Sequence, residues 1–563
     1  MTLLPADKTE WPPKSVAARY RRMKLPRAWY SGDPDQLRTA YGTKAETRAG
    51  GMRTTLNPGG GAQRIIGSNR DTFWSTSPST ELDTRRHLPI AQDIATASAD
   101  QLFSDPPSIR VMGPTDDGGK PTLETRAAQQ RIERVLRKCR FDSLLIASAE
   151  IASALGSTGL RIAFDKNAAA IEGRPVIAKV TADAVIPHYS WGQLIGVTFW
   201  QVVDQNTDRD EVWRHLECHE SGTGMVYHGL YKGDGASIGE RMPLDAKPAT
   251  AHLAKVVDDE GGIRVVTAGR GKTATSIPNM LPDPADLSDE AGRSDFTYPV
   301  MDLFDAADKA YTQLMDEVDD AKSRLFIAES MLERGKPGQG LAFDATQRMF
   351  VKVKVPPAEN EGGGLPIEKV QFELRVQEYL ELIDALTYKA IDAAGFRPST
   401  EKSDDAAQMT ATEVNGKDLK ARTTRDKKVR YWEGELEELL TTLLLVDVEQ
   451  FAPFEQVEVS TETTAPDGTT TVTTSIQSVR VQAFPVEVQF PEAVQPTLRD
   501  LAETAKALRE AGEELKEVRR VLHPDWTEDE LDKSVARTAA AASVVDPVSF
   551  GTAGAGMGPG DGV

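Results

Sequence analysis

The stretch "GFRPSTEKSDDAAQMTATEVNGKDLKARTTRDKK", from Gly395 to Lys428, decides how the middle of the chain folds. It opens with a glycine that has a proline shortly beyond it, which is typical of a helix end. Thr410 and Glu413 then have the spacing of a capping box, so a new helix is expected from Thr410 to about Val446. The residues between the two signals are small, polar and acidic. The stretch therefore predicts a helix, a soft loop and a second helix whose first half is basic.

Two long amphipathic helices are predicted before this stretch. The first is "PVMDLFDAADKAYTQLMDEVDDAKSRLF", in which seven acidic side chains face two lysines between Asp302 and Lys322. The second, from Glu368 to Ala394, carries an apolar stripe and stops at Gly395. Each is about 27 residues, or roughly 40 Å long at the α-helical rise. Between them, residues 331–366 hold the strand-like "MFVKVKVP" with glycine-rich ends, so a stalk with a small α/β head is predicted.

The rest of the chain divides by composition. Residues 1–70, interrupted by "WPPK" and "NPGGGAQ", are expected to form a partly irregular arm. Residues 71–295 alternate helical and strand-like patterns, which indicates an α+β domain. "VEVSTETTAPDGTTTVTTSIQSVRV" predicts a polar β-hairpin within residues 451–495. Residues 496–545 return to helical spacing, and the glycine-rich residues 546–563 are expected to be a disordered tail. The predicted fold class is α+β.

Composition excludes several classes of protein. The formal net charge is −20, whereas a general duplex-DNA binder carries a basic footprint. Two cysteines, Cys139 and Cys218, cannot build a disulfide framework, so a reducing compartment is expected. The N-terminal residues lack the basic and apolar regions of a signal peptide. The longest apolar runs are far shorter than a bilayer span, so no membrane partner is expected.

Two motifs that could indicate an enzyme do not hold up. "VTAGRGKTAT" ends like a phosphate-binding loop, but Val266 stands where the first glycine belongs and Pro278 prevents the helix that must follow. "HLECHE" brings His215 and His219 together, yet on a strand they lie roughly 13 Å apart. We therefore expect ordinary sheet histidines, no cofactor, no metal and no catalytic residue, with a metalloenzyme or acid hydrolase kept as the enzymatic alternative.

The order of these elements resembles the portal proteins of tailed bacteriophages, most closely those of long-tailed, siphovirus-type phages. "RRHLPIAQDIATASADQLFSDPPSI", "VIPHYSWGQLIGVTFWQVV", "ELRVQEYLELIDALTYKAIDAAGF" and "MTATEVNGKDLKARTTRDKK" look like the family's own segments. The resemblance spans about residues 70–540. The long N-terminal arm and the Thr-rich hairpin depart from the simplest family pattern.

The resemblance implies a ring, most often of twelve subunits, at one capsid vertex. The parts it implies are a wing (71–295 and 451–495), a stem (296–330 and 367–395), a clip (331–366), a tunnel loop (396–409), a long helix behind that loop (410–450) and a helical crown (496–545). Its implied partners are other copies of the chain, the major capsid protein and scaffold, the terminase large subunit, the head–tail connector and double-stranded DNA in passage. Its implied location is the virion, after assembly in the host cytoplasm.

The resemblance also assigns roles to individual residues. The DNA-facing positions of the tunnel loop are Ser399, Glu401, Lys402, Asp404, Asp405 and Gln408. The acidic positions of the stem are Asp305, Asp308, Asp316, Asp319 and Asp320. The clip positions that would meet terminase and connector are Arg334, Lys336, Arg348 and Lys352.

The acidic stem and the basic run after the tunnel loop are expected to have different functions. A basic channel wall would bind phosphates and slow sliding, so an acidic stem fits a wall that repels DNA. The basic run after the loop is expected either to contact acidic surfaces of a neighbouring subunit or to be a solvated helix face. Its candidate inter-subunit residues are Lys417, Lys420, Arg422 and Arg425. The runner-up function is another phage head, connector or scaffold protein without a DNA channel.

Overall fold

The computed structural model describes most, but not all, of the chain. The described residues are 4–49, 73–74, 85–116, 119–164, 173–266, 271–320, 324–328, 350–353, 367–370, 375–396, 411–464, 470–491, 505–522, 531 and 534–538. They form helices and mainly antiparallel sheets, so the predicted α+β class is confirmed. Two compact units divide the chain, Met1–Pro491 and Glu492–Val563.

The N-terminal residues of the first unit are more regular than the sequence analysis expected. Helices α1 (Lys14–Ser31) and α2 (Pro34–Ala49) occupy most of the predicted irregular arm. Trp29 of α1 and Leu37 of α2 are fully buried. Both belong to a core that also contains residues of the first long stalk helix. The expectation of a partly irregular arm was therefore wrong over these helices, because their apolar side chains pack into the body.

The body of the first unit combines helices with three sheets. Its helices are α3 (Ile90–Phe103), α4 (Leu123–Cys139) and α5 (Phe141–Leu155). Strands β1 (Ser108–Val111), β2 (Ser157–Ala163), β3 (Val176–Thr181), β4 (Val185–Ser190), β5 (Gln193–Asn206), β6 (Glu211–Glu220), β7 (Met225–Gly233), β8 (Glu240–Met242), β9 (Gly262–Arg264) and β10 (Ala274–Pro278) follow. The largest sheet has the order β4-β5-β6-β7-β8, with β9 on β7, and a second has the order β10-β2-β3. Strand β1 pairs with β16 (Val486–Gln489).

The two stalk helices are shorter than predicted. Helix α6 spans Tyr298–Asp320, and strand β11 (Arg324–Ala328) follows where the helix was expected to continue. Helix α7 spans Val376–Ala394, and strand β13 (Ile367–Val370) precedes it. With β12 (Phe350–Val353), these strands form a sheet of order β12-β11-β13. Backbone pairing in this sheet outweighs the helical spacing, so the predicted helix ends were wrong at Leu325–Phe326 and at Glu368–Val370.

The second half of the first unit follows the sequence predictions closely. Helix α8 spans Ala411–Phe451, as the capping box indicated, and its apolar half forms the centre of the largest core. Strands β14 (Phe454–Thr464) and β15 (Thr470–Arg480) form the predicted hairpin. In the second unit, helix α9 (Leu515–Leu522) and helical residues at 505–510 bury Val518 and Ala505. The disordered-tail prediction for residues 546–563 lies outside the described residues.

Candidate functional site at the junction of the long helices

The C-terminal end of helix α7 contacts helix α8 at Lys420 and Thr424. Gly395 adopts φ 95°, in the left-handed region, and donates its backbone N–H to the carbonyl of Asp392 at 2.9 Å. A Cβ atom on Gly395 would lie 2.8 Å from Thr424 Oγ1, so only glycine fits between the two helices. Lys420 Nζ donates to the carbonyl oxygen of Asp392 at 2.6 Å and to its carboxylate at 2.8 Å. A cation at this position stabilises the negative end of the α7 dipole.

A buried lysine lies one layer deeper at the same junction. Lys428 is 1% exposed, and its Nζ donates to Asp295 Oδ2 at 2.6 Å and to Ser98 Oγ at 2.7 Å. Asp295 also accepts from Ser153 Oγ at 2.7 Å and from Asn279 Nδ2 at 2.9 Å. Burial lowers the pKa of Lys428, and the nearby Asp295 carboxylate acts in the opposite direction. We call Lys428, Asp295, Ser98, Ser153 and Asn279 the Lys428 cluster.

The Lys428 cluster also contacts the residue after the end of α7. Lys428 Nζ lies 5.0 Å from the centroid of the Phe396 ring, which is a cation–π distance. Phe396 is itself buried in the core that contains Trp29 and Phe304. The two elements that border residues 397–410, namely the end of α7 and the basic half of α8, are therefore held by contacts to the same body of the first unit.

The basic run does more inside its own chain than the sequence analysis expected. Arg425 is 10% exposed, and it donates from Nε to the carbonyl of Gln101 and from NH2 to that of Pro491, both at 2.7 Å. Lys420 pairs with Asp392, as described above. These contacts engage Lys420 and Arg425 within the subunit; the Arg425 side chain is largely buried, whereas Lys420 stays exposed. The side chain of Lys417 lies outside the described residues.

The predicted acidic stem residues divide into two groups. Asp305 accepts from the backbone N–H of Phe73 at 2.7 Å and of Trp74 at 3.3 Å. Asp308 is buried and accepts from Leu88 N at 2.8 Å, Trp74 Nε1 at 3.0 Å and His87 Nδ1 at 2.8 Å. These two carboxylates hold the segments before α3 against α6, so the expectation that they belong to an exposed repelling wall is corrected.

The remaining stem acids fit the original expectation better. Asp316 and Asp319 are exposed near the end of α6, and the side chain of Asp320 lies outside the described residues. Burial raises the pKa of Asp305 to about 6, although its two backbone hydrogen bonds oppose the shift. Burial also raises the pKa of Asp308, against the hydrogen bond and charge of His87. Among the predicted stem acids, the exposed ones, Asp316 and Asp319, therefore lie toward the far end of the helix.

The two stalk helices are joined by an ion pair at that far end. Arg375, just before α7, donates from Nε to Glu317 Oε1 of α6 at 3.1 Å. The strands β11 and β13 that continue from these helices pair with each other in antiparallel register. Among the clip positions, Lys352 belongs to β12, whereas Arg334, Lys336 and Arg348 lie outside the described residues. The tunnel-loop positions Ser399, Glu401, Lys402, Asp404, Asp405 and Gln408 lie outside them as well.

The rejected enzyme motifs have structural roles. A strand, β10, rather than a helix begins two residues after Lys272, and Lys272 pairs with Glu438 at 2.6 Å. "HLECHE" lies on strand β6, where His219 Nε2 contacts Glu217 Oε1 at 2.9 Å. His215 Nε2 lies 3.2 Å from His228 Nδ1, with the two rings stacked. In the described part of the chain, no group of three or more His, Cys, Asp or Glu side chains is placed to hold a metal ion.

The Lys428 cluster was not predicted, although the sequence contains a signal for it. Lys428 stands four residues before Trp432 and eight before Leu436, both of which are fully buried. Because side chains at this spacing lie on one face of a helix, Lys428 had to point into the body with them. Its partner Asp295 lies 133 residues earlier in the chain, and no local pattern predicts such a pair.

Comparison with known proteins gives one family. A search of curated proteins found no match to the chain. Within the part of the chain that the structure describes, no helix has the length and apolar composition that a bilayer crossing requires. The family model described as "Phage portal protein, SPP1 Gp6-like" matches residues 16–543, and thus nearly the whole chain. The predicted resemblance is confirmed: this chain belongs to the SPP1 Gp6-like family of phage portal proteins.

Proposed function

We propose that the chain assembles into a ring of twelve subunits around a channel that double-stranded DNA crosses during packaging and ejection. Family membership supports portal function at a capsid vertex, a structural rather than enzymatic role, and self-assembly. The terminase large subunit, the head–tail connector, the major capsid protein and the scaffold are the proposed partners, with assembly in the host cytoplasm. The family match favours this function over a connector or scaffold without a channel.

The proposed parts follow the order of the described elements. Helices α6 and α7 form the stem, and the β12-β11-β13 sheet belongs to the clip that meets terminase and connector. The body with its large sheet and the β14–β15 hairpin form the wing, and the second unit contains the crown. Residues 396–409 form the tunnel loop, and α8 lies behind it.

One observation carries the tunnel-loop proposal. The chain leaves α7 at Phe396 and enters α8 at Ala411, and both helices are held by the Lys420–Asp392 pair and the Lys428 cluster. A loop whose two neighbours are fixed can change position without moving the body. Its predicted residues include one lysine, Lys402, and three acids, Glu401, Asp404 and Asp405. Such a loop touches phosphates weakly, which suits DNA in passage.

The exposed acids of the stem support the same channel. Asp316 and Asp319 are exposed on the half of α6 that lies away from the body core. Repulsion between these carboxylates and phosphates decays over about 10 Å at 0.1 M ionic strength, so it acts only on DNA close to the wall. Acidic stem surfaces therefore favour passage over binding.

The proposal is tested by deleting residues 400–408 and producing the chain together with its capsid, scaffold and terminase proteins and the phage DNA. Rings with a central hole in negative-stain electron microscopy, and a native mass near twelve subunits, are expected for both wild type and deletion. DNA packaging or retention is expected to fail in the deletion alone. A deletion of the same length at residues 552–560 is the control and should package normally. Normal packaging without residues 400–408 would overturn the tunnel-loop assignment, and the absence of rings from wild type would overturn the channel.

A further inference from the structure

An exposed tryptophan stands at the tip of the β4–β5 hairpin. Trp191 is 99% exposed, although it is among the largest apolar side chains of the chain. Its φ is 53°, followed by 73° at Gly192, so the turn requires two left-handed residues in succession. Asparagine–glycine is the usual solution for such a turn, and a tryptophan is disfavoured there. Within the subunit, neither burial nor turn geometry explains this residue.

A second exposed apolar residue lies on a neighbouring segment. Leu287 is 80% exposed, in the sequence "DPADLSDE" at residues 283–290. The hydroxyl of Tyr189, two residues before Trp191, donates to the carbonyl of Glu290 at 3.3 Å, so the two segments are held together. Arg22 binds the same segment through Asp289 at 2.6 Å and Asp286 at 3.3 Å. We call Trp191 and Leu287, with the surrounding acids of residues 283–290, the Trp191 knob.

The Trp191 knob combines an apolar anchor with excess negative charge. Residues 283–290 carry four acids, Asp283, Asp286, Asp289 and Glu290. Arg22 pairs with the three aspartates, of which Asp283 is buried and Asp286 and Asp289 are half-buried, whereas Glu290 is exposed, so the segment and Arg22 together keep a negative charge. An indole face attracts guanidinium and ammonium groups, and carboxylates do so as well. A basic surface would therefore complement the exposed Glu290 and the Trp191 indole.

Such a surface exists on the same chain. The C-terminal half of α4 and its cap expose four cations, Arg134, Arg137, Lys138 and Arg140, against two exposed acids, Glu133 and Asp142. Arg134 already pairs with Glu455, at 2.6 Å. We call these four cations the α4 basic patch. It stands out because the chain as a whole carries a net charge of −20.

We propose that the Trp191 knob of one subunit docks on the α4 basic patch of a second copy of this chain. The proposal rests on the ring assembly of the proposed function. A closed ring of identical subunits uses head-to-tail contacts, in which one surface meets a different surface of the next copy. An acidic, apolar knob and a basic patch are different surfaces of one chain, and their charges are opposite. Buried tryptophan and arginine are also the residues that most often dominate an interface.

Photo-crosslinking identifies the surface that contacts Trp191 in the assembled protein. Benzoylphenylalanine is placed at position 191 of the full chain, which is produced with its capsid and scaffold proteins, and crosslinked peptides are read by mass spectrometry. The expected product joins position 191 to residues 134–142 of a second copy. Crosslinks to the capsid or scaffold protein instead, or no crosslink in assembled rings, would overturn the proposal. The same residue analogue at Val256, which is also exposed, is the control for random encounter.

A charge exchange tests the electrostatic part. Trp191→Ala should weaken subunit association by about thirtyfold, as for a hot-spot tryptophan. Glu290→Lys and Arg137→Glu should each weaken association, and the double variant should recover at least part of the loss at low salt. Val256→Ala, the control, should leave subunit association unchanged. Normal rings from Trp191→Ala would overturn the knob while leaving the channel intact, and absence of rings from wild type would contradict the channel itself.

Discussion

Lys428 Nζ lies 2.6 Å from Asp295 Oδ2, and both side chains are shielded from solvent. The pair joins the basic half of α8 to the segment that leads into α6, and it lies beside Phe396 at the end of α7. An ion pair of this kind contributes little net stability compared with apolar residues, but removal of one partner leaves an uncompensated buried charge. The Lys428–Asp295 pair therefore fixes the relative position of three helices.

We predict that Lys428→Met destabilises the folded chain by about 3 to 5 kcal/mol, because the Asp295 carboxylate loses its cation. Urea denaturation measures the effect, as the free energy of unfolding of the unit that contains Lys428. Lys427→Met changes the neighbouring exposed lysine and should shift stability by less than about 0.5 kcal/mol. The double variant Lys428→Met/Asp295→Asn should recover at least half of the loss. Equal stability of Lys428→Met and wild type would contradict the burial of this pair.

A second prediction separates folding from assembly in the basic run. Arg425→Glu places a carboxylate against the carbonyls of Gln101 and Pro491, so the isolated subunit should lose about 3 kcal/mol or more. Lys427→Glu, on the exposed face two residues away, should leave subunit stability within about 0.5 kcal/mol. Thermal unfolding followed by near-ultraviolet circular dichroism distinguishes the two. A stable Arg425→Glu subunit that fails only in ring formation would restore the inter-subunit role of Arg425.

A third prediction concerns Asp308, the buried acid of the stem helix α6. Asp308→Asn keeps the size of the side chain, but it turns an amide donor toward Trp74 Nε1, His87 or Leu88 N, which are donors themselves. The loss should be about 1 to 3 kcal/mol, as for an unsatisfied buried polar group. Asp316→Asn alters an exposed acid on the same helix and serves as the matched control. If both substitutions had equal, small effects in differential scanning calorimetry, Asp308 would not hold the segments before α3.

A fourth prediction is a pH dependence in the largest sheet. Burial lowers the pKa of His215, and it lowers that of His228 to about 4, with Glu217 opposing and Arg161 reinforcing the shift. Between pH 6.5 and about 4 the unfolded chain binds a proton at His228 that the folded chain does not, so stability falls as pH falls. The free energy of unfolding that the chain loses through His228 over this pH range is about 3 kcal/mol.

The variant His228→Gln isolates this contribution. Asp305 acts in the opposite direction, because its raised pKa of about 6 lets the folded chain bind a proton first. The difference in unfolding free energy between wild type and His228→Gln cancels that background. It should shrink or reverse in sign as pH falls from 6.5 to 4, because only wild type loses the histidine contribution. A difference that is constant over this range would show that His228 titrates normally in the folded chain.

Local patterns predicted the long helix α8, the β14–β15 hairpin and the end of α7, because capping, turn and alternation signals act over a few residues. They failed at Arg324–Ala328 and Ile367–Val370. Those segments pair with each other across 40 to 46 residues, and tertiary pairing outweighs helical spacing there. The order of elements carried more information than any single motif, and it was this order that indicated the family.

The candidate site was less predictable than the fold. The stem acids were predicted as one acidic set, but Asp305 and Asp308 are bound by Phe73, Trp74 and His87, which come more than 200 residues earlier in the chain. Arg425 and Lys428 seemed parts of one exposed basic run, and both are engaged inside the subunit. The one sequence signal that Lys428 is buried and Lys427 exposed is the helical spacing that puts Lys428 on the same face as Trp432.

The pairing of β11 with β13 has a consequence for how this protein can be altered. The chain leaves α6 and returns to α7 at neighbouring points, which the Arg375–Glu317 contact at 3.1 Å marks. The residues between these two points are thus an insertion that leaves and rejoins the helices at one place. Replacing them does not require the helices to move apart. A laboratory chimera that carries a foreign segment between these two points should keep the parent body folded.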